Sequence, residues 1–83
     1  MFTELLKAKR KWYGKEGNYP TAIKMTKRAY KELDEEAKVL KIGINQSYTG
    51  YSVNGMRIFI DDKQKELFIF GYHYKDKFEL QVF

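Results

Sequence analysis

The side chains best suited to chemistry in this chain are cations, and they lie close together. The run Lys7-Ala8-Lys9-Arg10-Lys11-Trp12-Tyr13 sets basic residues beside an aromatic pair. Lysine and arginine neutralise phosphates, and an adjacent aromatic ring such as Trp12 stacks on an exposed base. The plainer alternative is a solvated helix face whose Trp12 turns into the core, since charge runs commonly do no more than solvate. Lys27 and Arg28 form a second group, in the first turn of an expected helix. The helix macrodipole disfavours cations there by about 0.3–1 kcal/mol each. Two cations beside free N–H groups suit a phosphate or carboxylate. Pairing of Arg28 with Glu32 at i,i+4 offers a purely structural reason for one of the two.

The wider charge distribution points the same way. Residues 1–31 carry nine basic and two acidic side chains, whereas residues 32–83 carry seven basic and nine acidic, within a net charge of +5. Such polarity attracts anions or an acidic partner and speeds encounter, and it says nothing about fold. The loop Gly14–Pro20 decides whether the two basic groups merge into one patch.

The catalytic inventory is thin. His73 is the one histidine, set inside an apolar run with no acidic neighbour, where a packed or edge histidine is the ordinary reading. Asp61, Asp62, Glu66 and Asp76 could surround a divalent ion, but they fall at turns, where aspartate is common. No phosphate-binding loop, His-Glu-x-x-His or EF-hand spacing is present. The chain has no cysteine, which rules out disulfides and cysteine-based zinc sites. These features predict a non-enzymatic protein without metal, cofactor or small-molecule substrate.

Eighty-three residues predict a single domain, 1–83, that must be stabilised by packing. One Trp, seven Tyr and six Phe supply the apolar surface. No apolar run approaches the ~20 residues of a membrane helix. With no charged-then-apolar leader and abundant lysine, the expected location is the cytoplasm, without membrane association.

The elements that must position the cations follow from periodicity. Thr3 is a candidate cap for a first helix running to about Tyr13, with Phe2, Leu5, Leu6, Trp12 and Tyr13 near one side. Thr21–Met25 reads as a short strand. Thr26 then caps a second helix, with Met25 and Tyr30 at the spacing of a hydrophobic staple. Its apolar stripe is Tyr30, Leu33, Ala37 and Leu40, its exposed pairs are Arg28–Glu32, Lys31–Glu35 and Asp34–Lys38, and Gly43 is the natural stop. The stretch from Asn45 to Gly50 is loop-like, with the Tyr/Ser/Asn/Gly mixture of adaptable recognition loops and of loops in general. Tyr51–Val53 and Met56–Ile60 flank Asn54-Gly55, the preferred dipeptide of a tight hairpin. Leu67–Tyr74 is apolar on both faces, as a central strand is, and Phe78–Val82 alternates.

The expected fold is therefore α+β: two helices followed by an antiparallel β-meander of three to five strands, with the helices mainly on one sheet face. Ile58, Ile60, Leu67, Ile69 and Leu80 would pack on the helices. Phe59, Phe68, Phe70, Tyr72 and Tyr74 would share the other face. That aromatic face must be covered by a second copy, by a partner, by stacked bases, or by the first helix folding over it.

Two stretches carry a resemblance. The run from Tyr19-Pro20 through Met25-Thr26 to Tyr30-x-x-Leu33, followed by Gly55-Met56-Arg57-Ile58-Phe59-Ile60-Asp61-Asp62, resembles a pattern in phage and prophage proteins. There a short extended segment ends in Met-Ser or Met-Thr, a helix with Tyr-x-x-Leu follows, and a strand Gly-x-x-Val-x-Val-Asp comes later. The pattern occurs in segments of tailed-phage capsid-type proteins and in small phage accessory proteins. The chain is too short for a capsid subunit, so the resemblance implies an accessory protein of the host-cell cytoplasm and assigns no site residue.

Residues and resemblance together predict a phage-type accessory protein that binds a macromolecule through its basic N-terminal third. Lys7, Lys9, Arg10, Lys11, Trp12, Lys27 and Arg28 are the candidate contacts. The partner would be nucleic acid or an acidic surface of a nucleic-acid-handling or host-defence protein. The alternative is an assembly protein that self-associates, for example as a homodimer, through the aromatic sheet face.

Overall fold

A computed structural model of the chain describes residues 1–41, 43–47 and 50–80. Tyr48 and Thr49 of the expected loop, and Gln81 and Val82 of the expected last strand, lie outside the described residues. The architecture is α+β. Helix α1 spans Phe2–Glu16, strand β1 Ala22–Met25, and helix α2 Lys27–Leu40. Strands β2 (Ile44–Ser47), β3 (Gly50–Val53), β4 (Met56–Ile60), β5 (Phe68–Tyr74) and β6 (Lys77–Glu79) follow.

The sheet order is β2-β3-β4-β1-β5-β6. β1 is inserted between β4 and β5, parallel to the first and antiparallel to the second, with Ile23 opposite both Ile58 and Phe70. The later strands thus keep antiparallel hairpins at each end, and β1 bridges them at the centre. Ala22, Ile23 and Met25 are fully buried, as a strand with neighbours on both sides must be. The expected short strand is thus central and organises the sheet. Asn45, Gln46 and Ser47, expected as loop, instead belong to the edge strand Ile44–Ser47, paired antiparallel to β3.

Side chains alternate across the pleat, so register assigns the faces. Ile23, Met25, Val53, Met56, Ile58 and Phe70 lie toward the helices and form one core with Leu5, Ala29 and Leu33. The expected stripe of α2 is present as buried Ala29, Leu33 and Ala37 with half-buried Tyr30, while Leu40 at its end is exposed.

β5 meets the helices with the opposite parity from the one expected. Trp12 of α1 packs on Phe70 and Tyr72, with ring centroids 5.9 and 6.1 Å apart. Ile69 pairs with Lys24 and faces away. Leu67 and Leu80 are exposed, and Ile60, on the helix side, is exposed at its strand end. A strand apolar on both faces carries no alternation to choose between them. Its pairing with β1 makes the choice.

Helix ends are set by backbone geometry more than by the expected cap residues. α1 begins at Phe2 with Met1 at the N-cap, so Thr3 lies inside the first turn and does not cap it. The helix continues through Gly14 to Glu16 and stops at Gly17, whose left-handed backbone (φ 78°) lets its N–H donate to Tyr13 O at 2.9 Å. Lys41, not Gly43, takes the left-handed position after α2 (φ 56°). Thr26 caps α2 as expected, accepting from Ala29 N–H at 3.1 Å. Asn54-Gly55 and Lys75-Asp76 both adopt the paired positive φ values of tight hairpin turns.

Candidate binding surface on the first helix

Successive residues of a helix are turned by about 100° around its axis. On α1 this rotation brings Lys7, Arg10, Lys11 and Lys15 onto one side, opposite buried Leu5. All four are exposed, and none forms an ion pair or side-chain hydrogen bond among the described residues. The i,i+4 pairs Lys7–Lys11 and Lys11–Lys15 are like-charged, which costs an isolated helix about 0.2–0.5 kcal/mol each.

Lys9 falls on the other side of the helix and has a different role. Its stem is half-buried, and its Nζ donates to Asn54 O in the β3–β4 turn at 2.7 Å. Burial lowers its pKa below the ordinary lysine value. Lys9 also lies 5.3 Å from the ring centroid of Tyr19, which stacks on Tyr13 at 4.4 Å. Nearby, Tyr72 donates its hydroxyl proton to Asn18 Oδ1. The loop after α1 is thereby fixed against the sheet and the helix. Tyr19 was absent from the expected site, because a loop tyrosine shows no periodicity.

Lys27 and Arg28 do not offer an open anion site. The Lys27 N–H donates to Asp62 Oδ1 at 2.7 Å, so a carboxylate from the β4–β5 loop already occupies the start of α2. Arg28, 91% exposed, lies 4.0 Å from Glu32, the structural alternative its sequence spacing allowed. Lys38–Asp34 closes at 3.3 Å, whereas Lys31 and Glu35 do not pair. Asp62 was legible only as a turn residue.

Three of the four acidic residues weighed for a metal have other partners. Asp61 accepts from Lys63 N–H and approaches Lys24, Asp62 caps α2, and Asp76 pairs with Arg57. Among the described residues no three metal-ligating side chains gather. His73 is exposed, and its backbone N–H donates to Thr21 Oγ1. Among the same residues, no helix is long and apolar enough to cross a membrane.

The expected aromatic face is divided between the two sides of the sheet. Phe68, Phe70 and Tyr72 lie on the helix side, and Tyr74, of the same parity, is exposed at the strand end. Phe59 lies on the far side, edge-on to Phe78 at 5.8 Å. Lys24 sits 4.8 Å above Phe78, and Arg57 sits 5.0 Å above Phe59. A methyl group on Gly71 would come within 2.5 Å of the Phe78 ring, so glycine there lets Phe78 lie flat over β5. The chain's own cations and rings thus cover much of that face.

Two hollows border the basic side of α1. One is of mixed character, lined by Leu6, Lys9, Arg10, Tyr19 and Asn54. The other is an apolar groove of about 290 Å³ between α1 and β5, lined by Ala8, Lys11, Trp12, Lys15, Phe68 and Phe70. Trp12 is therefore neither an exposed stacking platform nor a wholly internal residue. It is half-buried and forms one wall of the groove, with its indole N–H buried and unpartnered among the described residues.

No protein-family model matches the chain, and neither a curated protein nor a solved structure shows significant similarity to it.

Proposed function

We propose that the chain is a non-enzymatic accessory protein, of the phage type its sequence pattern resembles. It binds nucleic acid or an acidic surface of a nucleic-acid-handling or host-defence protein. The single observation that carries this reading is the exposed side of α1. Lys7, Arg10, Lys11 and Lys15 stand together there, exposed and without an ion pair among the described residues, and outnumber Glu4 on the same side. Neighbouring like charges work against the helix they sit on. A local rule broken without internal compensation is a pointer to function. The contacts are thus narrower than the whole basic third: the Lys9 ammonium engages the chain itself, Arg28 neighbours Glu32, and Asp62 already accepts from the Lys27 backbone N–H at the start of α2.

Such a surface works by long-range attraction followed by counterion release, so its binding weakens as salt rises. The test is a titration of the wild-type chain and the variant K7E/R10E/K11E with a short duplex and with an acidic polypeptide. Wild-type binding to at least one probe should fall by about tenfold or more between low and physiological salt. The variant should lose that binding while keeping its melting temperature. Salt-independent binding, or a variant that binds as well as wild type, would rule out the basic side of α1 as the contact.

A further inference from the structure

Resting on that reading, we infer that the partner at this surface is an acidic polypeptide segment with an apolar side chain that inserts between α1 and β5. The groove runs along Ala8, Lys11, Trp12 and Lys15. That spacing covers two helical turns, about 10 Å at 1.5 Å per residue. Its floor is Phe68 and Phe70, with ring centroids 5.3 Å apart. At about 290 Å³ it lies at or below the ~300–1,000 Å³ of ordinary small-molecule pockets, and it suits one or two side chains of a peptide.

The chemistry of the walls separates a peptide from a nucleobase. A base inserted here would bury its ring nitrogens and exocyclic groups against Ala8, Trp12, Phe68 and Phe70. The indole N–H is itself buried, so it presents no accessible donor to the groove. Unpaired polar edges are costly to bury, whereas a leucine or phenylalanine side chain carries none. The rim supplies the charge. Lys11 and Lys15 stand one turn apart, exposed and without an ion pair among the described residues. They are placed to meet carboxylates that flank an apolar anchor. Arg10, whose planar fork is better suited to phosphate, faces the other hollow.

Trp12 is the only tryptophan in the chain, so its emission reports directly on this groove. The experiment titrates the full chain with an acidic twelve-residue peptide carrying two leucines one turn apart. Parallel titrations use the same peptide with serines in place of the leucines, and a single-stranded oligonucleotide. Affinity comes from calorimetry and occupancy from Trp12 emission. The leucine peptide should bind about tenfold or more tightly than the serine peptide and shift Trp12 emission. A8E should abolish that preference, and K15E should weaken both peptides while leaving the melting curve unchanged. Equal binding of the two peptides would overturn the apolar anchor and leave the basic-surface reading standing. Binding of no probe at low salt would sink both readings. An oligonucleotide that binds more tightly than the leucine peptide and moves Trp12 emission would make nucleic acid the occupant instead. An emission shift that follows protein concentration alone, with a doubling of mass, would make the occupant a second copy.

Discussion

Helices α1 and α2 lie on the same face of the same sheet, and each begins on a carboxylate supplied from far away in the chain. Asp62 accepts from the Lys27 N–H of α2, and Glu36 accepts from the Phe2 N–H of α1 at 2.7 Å while its other oxygen lies 3.0 Å from the Met1 amino group. The helices differ in what they do with the rest of their charge. α2 balances four basic residues with four acidic ones and closes Lys38–Asp34 along its own surface. α1 carries five basic residues against two acidic and leaves four of the five unpaired among the described residues. Burial differs as well. Three residues of α2 are buried, whereas α1 buries Leu5 alone and leans on half-buried Phe2, Leu6, Ala8 and Trp12. One helix satisfies itself and anchors the core. The other is held at its margins and presents its charge outward.

The largest effect that can break this comparison is in the core. Leu33→Ala should cost about 2–5 kcal/mol, because a fully buried leucine is truncated in a domain with little core to spare. Urea unfolding measures it, and a loss below about 1 kcal/mol would mean that α2 is not the anchor.

A smaller effect concerns the first turn of α2. Thr26→Ala and Asp62→Ala should each cost about 0.5–2 kcal/mol, since each leaves a backbone N–H of that turn without its acceptor. If Asp62→Ala also created a phosphate site at Lys27 and Arg28, detectable by phosphorus or proton NMR, that would sharpen the contrast. The α2 site would then be one the chain has closed, while that of α1 is open.

The smallest effect is the pH dependence of the α1–α2 link. The Met1 ammonium and the Phe2 N–H hold the Glu36 carboxyl below its ordinary pKa, and hydrogen bonding to Glu36 holds the Met1 amino group above its own. A lowered carboxyl contributes stability above its ordinary pKa and loses it as pH falls through the lowered value. A raised amine contributes below its ordinary pKa and loses it as pH climbs through the raised value. The link should therefore be strongest between about pH 5 and pH 7.5 and should weaken on either side. Amide exchange in the first turn of α1 reads this directly, and Glu36→Gln should flatten the profile. Protection that stays unchanged when the pH is taken well below about 5 and well above about 7.5 in the wild type would show that the link does not hold the helix end.

Much of the fold was legible in the chain, and the exceptions share a cause. The α2 stripe, the Thr26 cap and the Asn54-Gly55 turn are local codes, readable within a few residues. The place of β1 was not legible, because four residues between two helices look the same at an edge or at the centre. The facing of β5 was hidden by its apolar character on both sides. In the candidate site, Lys7, Lys9, Arg10 and Lys11 of α1 were legible from their density, whereas Lys15 was not, because Gly14 reads as the end of the helix that in fact continues to Glu16. The sorting of Lys9 from Lys7, Arg10 and Lys11 needed the Asn54 carbonyl, 45 positions away. Phe68 and Phe70, expected on the sheet face away from Ile58 and Ile60, share the helix side with them and line the groove beside α1.

By itself, then, the sequence determined the classes of most elements, β2 excepted, the excess of positive charge in residues 1–31 and the absence of cysteine chemistry. These depend on composition and on short-range periodicity. Tertiary structure alone decided which cations are spoken for. It placed Asp62 at the start of α2 and the β3–β4 turn against Lys9, and it left Lys7, Arg10, Lys11 and Lys15 facing outward. Ion pairs and caps between distant residues follow from the packing of the sheet, and no spacing along the chain encodes them.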